Sequence, residues 1–297
     1  MKQAFNQLLQ MTAIVGAVLV AGACDLRRSA VLDPKGPIAL AERDLLIDAF
    51  IVMMLVVVPV ILLTLFFAWR YRASSTTAAY TPKWAESVRI DTVVWVIPAL
   101  IVVAVAVLVW RSTHKLDPYR PLASSVAPLE VQVVAQDWKW LFIYPEQGIA
   151  VVNQLAFPSG RPVSLKITSD TVMNSFYVPQ LAGQIYAMAG MQTKLQLLAD
   201  APGTFVGRNS QYSGGGFSDQ HFEVIAQTPA DFDAWVAKAK QAPVKLDATT
   251  YPALAAKSRR NPIAYYSAVE PGLYDSIIAK FTHGNHASGA ATPPARR

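Results

Sequence analysis

The sequence contains a single cysteine, Cys24. With no second thiol the chain can close no disulfide within itself, and a cysteine-rich zinc site or an iron–sulfur cluster carried by this chain alone is excluded as well. Charge is also scarce: 15% of the residues are Asp, Glu, Lys or Arg, 53% are hydrophobic, and mean hydropathy is +0.29. Soluble domains usually carry about a quarter charged residues, so membrane spans are the first thing to look for. Long basic runs are missing too. Lys and Arg number 26 against 20 Asp and Glu, for a net charge of +6, yet no run exceeds the pairs Arg27-Arg28, Arg259-Arg260 and Arg296-Arg297. Without such a run or any zinc-finger spacing, the chain is expected to have no nucleic-acid partner.

What is present begins with a leader. Lys2 precedes an apolar stretch, residues 11–23, that ends in small side chains, as a secretory signal does. The run Leu19-Val20-Ala21-Gly22-Ala23-Cys24 resembles a bacterial lipobox, with its aliphatic residue one position farther back than usual. On that reading residues 1–23 are a removed signal peptide and Cys24 becomes the N-terminus, carrying a covalent lipid. The alternative is an ordinary signal peptide with a stray buried cysteine.

Two uncharged stretches follow, residues 49–69 and 92–110, of 21 and 19 residues. Each can cross a hydrocarbon core, which takes about 20 residues as a helix. Pro59 and Pro98 interrupt them, which spans tolerate because neighbouring groups satisfy the freed carbonyls. Trp69, Tyr71, Trp95 and Trp110 stand near the ends, where interfacial aromatics belong. The expected layout is an outer segment 24–43, transmembrane helix 44–70, cytoplasmic loop 71–90, transmembrane helix 91–111 and linker 112–128. The export signal sets this orientation, because positive charges flank the spans on both sides.

Beyond the linker the pattern shortens to alternating segments. Residues 129–136, 139–144, 162–168, 194–198, 204–207 and 221–226 read as strands, separated by turns such as Pro158-Ser159-Gly160 and Pro202-Gly203. They predict a small antiparallel sandwich or barrel over 129–228. From Pro229 the periodicity turns helical, with Phe232, Trp235, Val236 and Ala239 on one face, predicting a helical arm over 229–282. Residues 283–297 are small and polar and predict a disordered tail, in which His283 and His286 read as solvated rather than metal-binding.

Three stretches make a resemblance specific: Asp137–Gly148 (DWKWLFIYPEQG), Met173–Pro179 (MNSFYVP) and Gln184–Met191 (QIYAMAGM). With the lipobox, two spans and outer β domain, they resemble subunit II of the haem-copper respiratory oxidases, in the quinol-oxidising branch of the cytochrome bo-type ubiquinol oxidases. The resemblance runs from Cys24 to about Phe281. It implies a membrane α plus all-β fold: a two-helix transmembrane hairpin, a periplasmic cupredoxin-like β-sandwich and a short helical C-terminal arm, in a bacterial inner membrane.

In the cytochrome c-oxidising branch of that family the outer domain holds two coppers, bridged by two thiolates and completed by two histidines and a methionine. Aligned on its Ser-Phe and Phe anchors, that pattern falls on Asn174, Tyr212, Gly216, Gln220 and Glu223, so every ligand position is substituted. His221 lies one residue out of register, which in a strand turns a side chain to the other face. The resemblance therefore implies no metal, no catalytic centre and no cofactor on this chain other than the lipid on Cys24. Haem groups and copper belong to a partner subunit I, which would take electrons from ubiquinol and reduce oxygen to water. Subunits III and IV and membrane lipids are the other expected partners, and no quinol-binding residue is assigned here.

Asp91, at the start of the second span, falls where the family has a carboxylate at the mouth of subunit I's proton channel, with Glu86 as a reserve. The plainer reading of Asp91 is a favourable contact with the helix N-terminus. Trp138 and Trp140 fall on the aromatic segment that relays electrons in the copper-bearing branch, and here are expected to pack the core and the rim toward subunit I. Met173, Met188 and Met191 have no ligand spacing and read as structural. Two alternatives stay open: a cytochrome c oxidase subunit II, which the missing ligands oppose, and a free-standing periplasmic lipoprotein with a cupredoxin-like binding domain.

Overall fold

A computed structural model describes residues 29–76, 81 and 86–282. Cys24, the signal segment 1–23, His283 and His286 lie outside the described residues. The chain divides into two units, Ala41–Asp117 and the remainder.

The first unit is built on two helices, α1 (Pro37–Arg70) and α2 (Val88–Lys115). Helix α1 starts well before position 44, with Pro37 as its first residue, where a missing N–H costs no hydrogen bond. Pro59 and Pro98 lie inside the helices, as expected. Both helices are long and apolar enough to cross a membrane, and their Leu, Val, Ile and Phe side chains are exposed all round. Apolar surface of that extent is unstable against water and calls for lipid or partner helices.

The outer unit is a cupredoxin-like β-sandwich. Its strands are β1 (Leu129–Gln136), β2 (Lys139–Tyr144), β3 (Ile149–Val152), β4 (Gln154–Pro158), β5 (Val163–Ser169), β6 (Asn174–Val178), β7 (Ala182–Ala187), β8 (Thr193–Leu197), β9 (Gly203–Asn209), β10 (His221–Gln227) and β11 (Ala264–Tyr266). One sheet has the order β11-β3-β2-β1-β5-β8, the other β4-β10-β9-β6-β7. The sheets are not wholly antiparallel: β1 pairs β5 and β4 pairs β10 in parallel.

Leu129, Val131, Val133 and Ala135 alternate toward the interior, where they meet Trp140, Phe142, Phe176 and Phe222 of the facing and neighbouring strands. A second apolar cluster lies on the back of the first sheet. There Val134, Leu141, Ile143, Ala150 and Val152 are covered by Leu246, Tyr251, Leu273, Tyr274 and Ile277 of the C-terminal arm. Strand β2 is thus buried on both faces; the polar ends of Lys139 and Tyr144 are hydrogen-bonded, while the Trp140 indole Nε1 is buried without a partner.

The arm is mixed rather than purely helical. Helix α3 (Pro229–Lys240) is capped by Thr228, whose Oγ1 accepts from the Asp231 amide at 3.2 Å, and it buries the expected Phe232, Trp235 and Ala239. Helices α4 (Tyr251–Ala255) and α5 (Leu273–Thr282) follow, with β11 between them adding an edge strand to β3.

Candidate functional site

The site lies at one end of the sandwich, where the β1–β2 turn, the start of β6 and the loop from β9 to β10 meet. Asn174 opens β6, Asn209 closes β9, and Gln220 directly precedes β10. All three are buried. Asn209 Nδ2 lies 2.7 Å from Asn174 Oδ1, 2.9 Å from Gln220 Oε1 and 3.1 Å from Ser213 Oγ. Two protons serve three acceptors, so one bond is shared. Ser213 Oγ donates in turn to Gln220 Oε1 at 2.9 Å, and Asn174 Nδ2 donates to the Val172 carbonyl at 2.8 Å. The other face of Asn209 is used as fully, its Oδ1 accepting from the amides of Ser175 at 2.8 Å and Gln211 at 3.0 Å.

The five positions on which the copper-ligand pattern was expected to fall have different fates. Asn174 and Gln220 join one neutral carboxamide network. Gly216 lies against the Trp138 indole so closely that an added Cβ would collide with the ring. Tyr212 is 71% exposed and tilts against Phe217. Glu223 sits in β10 on the opposite face from buried Phe222, and its Oε2 accepts from Gln154 Nε2 at 2.7 Å. His221 shares that outward face, pairs with Arg208 in register and is exposed. With Asp219, Arg260 and Ile263 it lines an open cavity of about 640 Å³.

Asn209 and Ser213 were not among the residues expected to matter. Their only sequence signal is a polar Asn and Ser bracketing the Tyr212 position, and nothing in that pattern places Asn209 between the other two amides.

A dinuclear copper centre does not fit these residues. Copper that cycles quickly between oxidation states needs soft thiolate and thioether donors. The side chains present are neutral carboxamides, bonded to one another over 2.7–2.9 Å. Among the described residues no group of three or more His, Cys, Asp or Glu is placed to hold a metal ion.

The β1–β2 turn closes the site from one side. Trp138 adopts a left-handed conformation with φ 79°, its Nε1 donates to the Ser213 carbonyl at 3.1 Å, and the Arg259 guanidinium lies 5.2 Å from its ring centre. Trp140 points inward instead, fully buried with its ring centre 5.4 Å from that of Phe176 and 5.6 Å from that of Phe222. Between them Lys139 is 1% exposed, and its ammonium donates to Ala256 O at 2.7 Å and Ser258 Oγ at 2.6 Å. Burial pushes the Lys139 ammonium below the usual lysine range, against the pull of the Asp137 carboxylate.

Met173 and Met191 are exposed, while Met188 is partly buried and offers its carbonyl to Thr168. At the other end of the chain, Asp91 lies in the first turn of α2, and Glu86 just precedes the helix; both are exposed. Ser87 makes no side-chain cap bond, and Asp91 is the acidic residue of that turn.

Comparison with known proteins places this arrangement. The family model described as cytochrome c oxidase subunit II, periplasmic domain, matches residues 146–225, and the COX aromatic rich motif matches residues 240–285. The chain is 52% identical over 273 residues to cytochrome bo(3) ubiquinol oxidase subunit 2 of Pseudomonas aeruginosa, covering 92% of this chain and 82% of that one. It belongs to the ubiquinol oxidase subunit 2 family. Ubiquinol oxidase subunit 2 of Acetobacter aceti is 50% identical over 285 residues, covering 94% of this chain and 91% of its own. Among solved structures, the periplasmic domain of subunit II of cytochrome oxidase (CoxB) of Bradyrhizobium japonicum aligns at 20% identity and a TM-score of 0.38, over 40% of this chain and 98% of that one. In this ubiquinol oxidase subunit 2, the carboxamide network takes in Asn174 and Gln220, two of the five positions on which the copper-ligand pattern was expected to fall.

Proposed function

We propose that the chain is the second subunit of a proton-pumping ubiquinol oxidase, the complex that oxidises quinol and reduces oxygen to water, and that it serves there as a structural and assembly subunit. The observation that carries this reading is the Asn174–Asn209–Gln220 network: a site whose polar atoms are spent on one another offers electrons no stopping place. Electrons would reach the oxygen-reducing centre through a haem- and copper-bearing subunit I, which takes them from ubiquinol. Subunits III and IV complete the assembly. A lipid on Cys24 would hold the N-terminus at the outer face of the inner membrane, and the two exposed helices would cross it.

The test is to solubilise membranes, purify the tagged chain, and record a haem spectrum with quinol-driven oxygen uptake. Haem in stoichiometric amount with quinol-dependent turnover is expected. A haem-free preparation would favour a free-standing lipoprotein instead.

On this reading Asp91, with Glu86 as the alternative, contributes to proton input from the cytoplasmic side. A carboxylate suits that task because it collects protons from water and releases them inward. In the assembled oxidase Asp91→Asn should slow oxygen reduction several-fold with haem content unchanged. Turnover equal to that of the unaltered complex would remove Asp91 from the proton path.

A further inference from the structure

Two charges of the sandwich are buried by the C-terminal arm and satisfied by it. Lys139 Nζ donates to Ala256 O and Ser258 Oγ, both of the arm. The Asp170 side chain, 2% exposed, takes Lys280 Nζ on one oxygen at 2.7 Å and the Tyr251 hydroxyl on the other at 2.8 Å, again both of the arm. A buried charge that loses its partner is strongly destabilising, so these contacts pin the arm to one register on the sandwich.

From those contacts two links reach the carboxamide network. The first is Gln136. Its Nε2 donates to the Tyr251 hydroxyl at 3.2 Å, while its backbone carbonyl accepts from Gln220 Nε2 at 3.3 Å. Its Oε1 is buried without a partner, so Tyr251 alone orients the side-chain amide. The second is Trp138, held on its face by Arg259 and bonded through Nε1 to Ser213, whose hydroxyl donates to Gln220. Both links converge on Gln220.

We propose that the arm sets the geometry of the carboxamide network, with Gln136 and Trp138 as the positioning residues through which it acts. In this chain the arm takes over the tying of β6, the β9–β10 loop and the β1–β2 turn, three segments that a shared metal would otherwise draw together. Because the coupling is an equilibrium property it is reciprocal: loosening the arm loosens the network, and loosening the network loosens the arm by the same factor.

The experiment is hydrogen exchange on the complete chain, purified within its complex in detergent. Tyr251→Phe keeps the ring and removes the hydroxyl; it should speed exchange of the Ser175 and Gln211 amides, which both rest on Asn209 Oδ1, about tenfold. Amides of β4 and β10 should hold their rates. The converse variant, Asn209→Ser, should speed exchange of the Ser258 amide, which donates to the Asp137 carbonyl, by a similar factor. Lys280→Met loosens the arm from the exposed side and leaves Gln136 and Tyr251 in place, so it provides the same readout should Tyr251→Phe fail to accumulate. Unchanged network amides in these arm variants would overturn the proposal. So would an equal rise across the whole sandwich, since that would make the arm a general stabiliser with no particular hold on the network.

Discussion

Asn209 shows what a carboxamide can do that a thiolate cannot. It donates and accepts at once, so one side chain satisfies two backbone amides on its oxygen and three acceptors on its nitrogen. Nothing there is charged, so closing the site over it carries no ionic desolvation cost. Asn209→Leu removes all of these bonds from a buried place and leaves the Ser175 and Gln211 amides and the Asn174 and Gln220 oxygens short of partners. Each buried polar group left unmatched costs about 1–3 kcal/mol, so a loss of at least about 2 kcal/mol is expected. A clear fall in the thermal midpoint of the detergent-solubilised chain would register it; a midpoint within a degree of the parent would show the network to be incidental. Asn174 and Gln220 were legible as part of this site because the spacing of a ligand pattern pointed to them. Asn209 was not: its role depends on β9 and β6 pairing so that Asn209 stands opposite Phe176, a long-range register that local sequence does not encode.

At the scale of elements, the segment before α1 is tied to the sandwich by backbone hydrogen bonds and by Gln180 Nε2, which donates to the Asp33 carbonyl at 3.2 Å. The Lys35 amide donates to Gln180 O at 2.8 Å, and the Asp200 amide to Lys35 O at 3.1 Å. Gly36 then passes so close to the Leu198 carbonyl that a Cβ would overlap it. Gly36→Ala should therefore displace residues 33–36 from the sandwich, seen as faster exchange of the Lys35 and Asp200 amides with the strands unaffected; unchanged protection there would refute the tight approach. Elements were legible where one physical signal acted alone. The spans showed through length and lack of charge, β9 and β10 showed through alternation of buried and exposed residues along the strand, and β1 and β5 through the same alternation in their first halves. Strands β3 and β4 were hidden because Ile149–Pro158 reads as one polar-poor run. It is the left-handed Asn153, with φ 57°, that breaks the run and sends its halves to different sheets. Strand β11 was hidden because its three residues become a strand only by pairing with β3.

At the scale of the whole molecule, the arm's packing has a consequence at high pH. Of the eleven tyrosines, Tyr144 in the sandwich core, Tyr251 and Tyr274 on the buried side of the arm, and Tyr265 and Tyr266 of β11 are held above the ordinary tyrosine range, in each case chiefly by burial. For Tyr251 the neighbouring Asp170 carboxylate adds to the effect. A raised folded-state value means that the unfolded chain ionises first. Stability from these groups is complete below about pH 10, the unperturbed value, and falls as pH climbs beyond it, by up to about 1.4 kcal/mol per pH unit for each of Tyr144, Tyr251 and Tyr274. Lys139 acts in the opposite sense. Its folded value is lowered, so the folded state gives up that proton before the unfolded state does, and stability from Lys139 rises with pH until about 10.4, where the unfolded lysine also titrates. Five tyrosines outweigh one lysine, and above about pH 10.5 only the tyrosine effect is still changing. The denaturation midpoint should therefore decline steeply above that pH, with tyrosinate absorbance in the folded chain staying below its full amplitude until unfolding releases the remainder in one step. If the folded chain reached full tyrosinate absorbance near pH 11 while still folded, these hydroxyls would have to be open to water, and the seal that the arm makes over the back of the first sheet would not exist in solution.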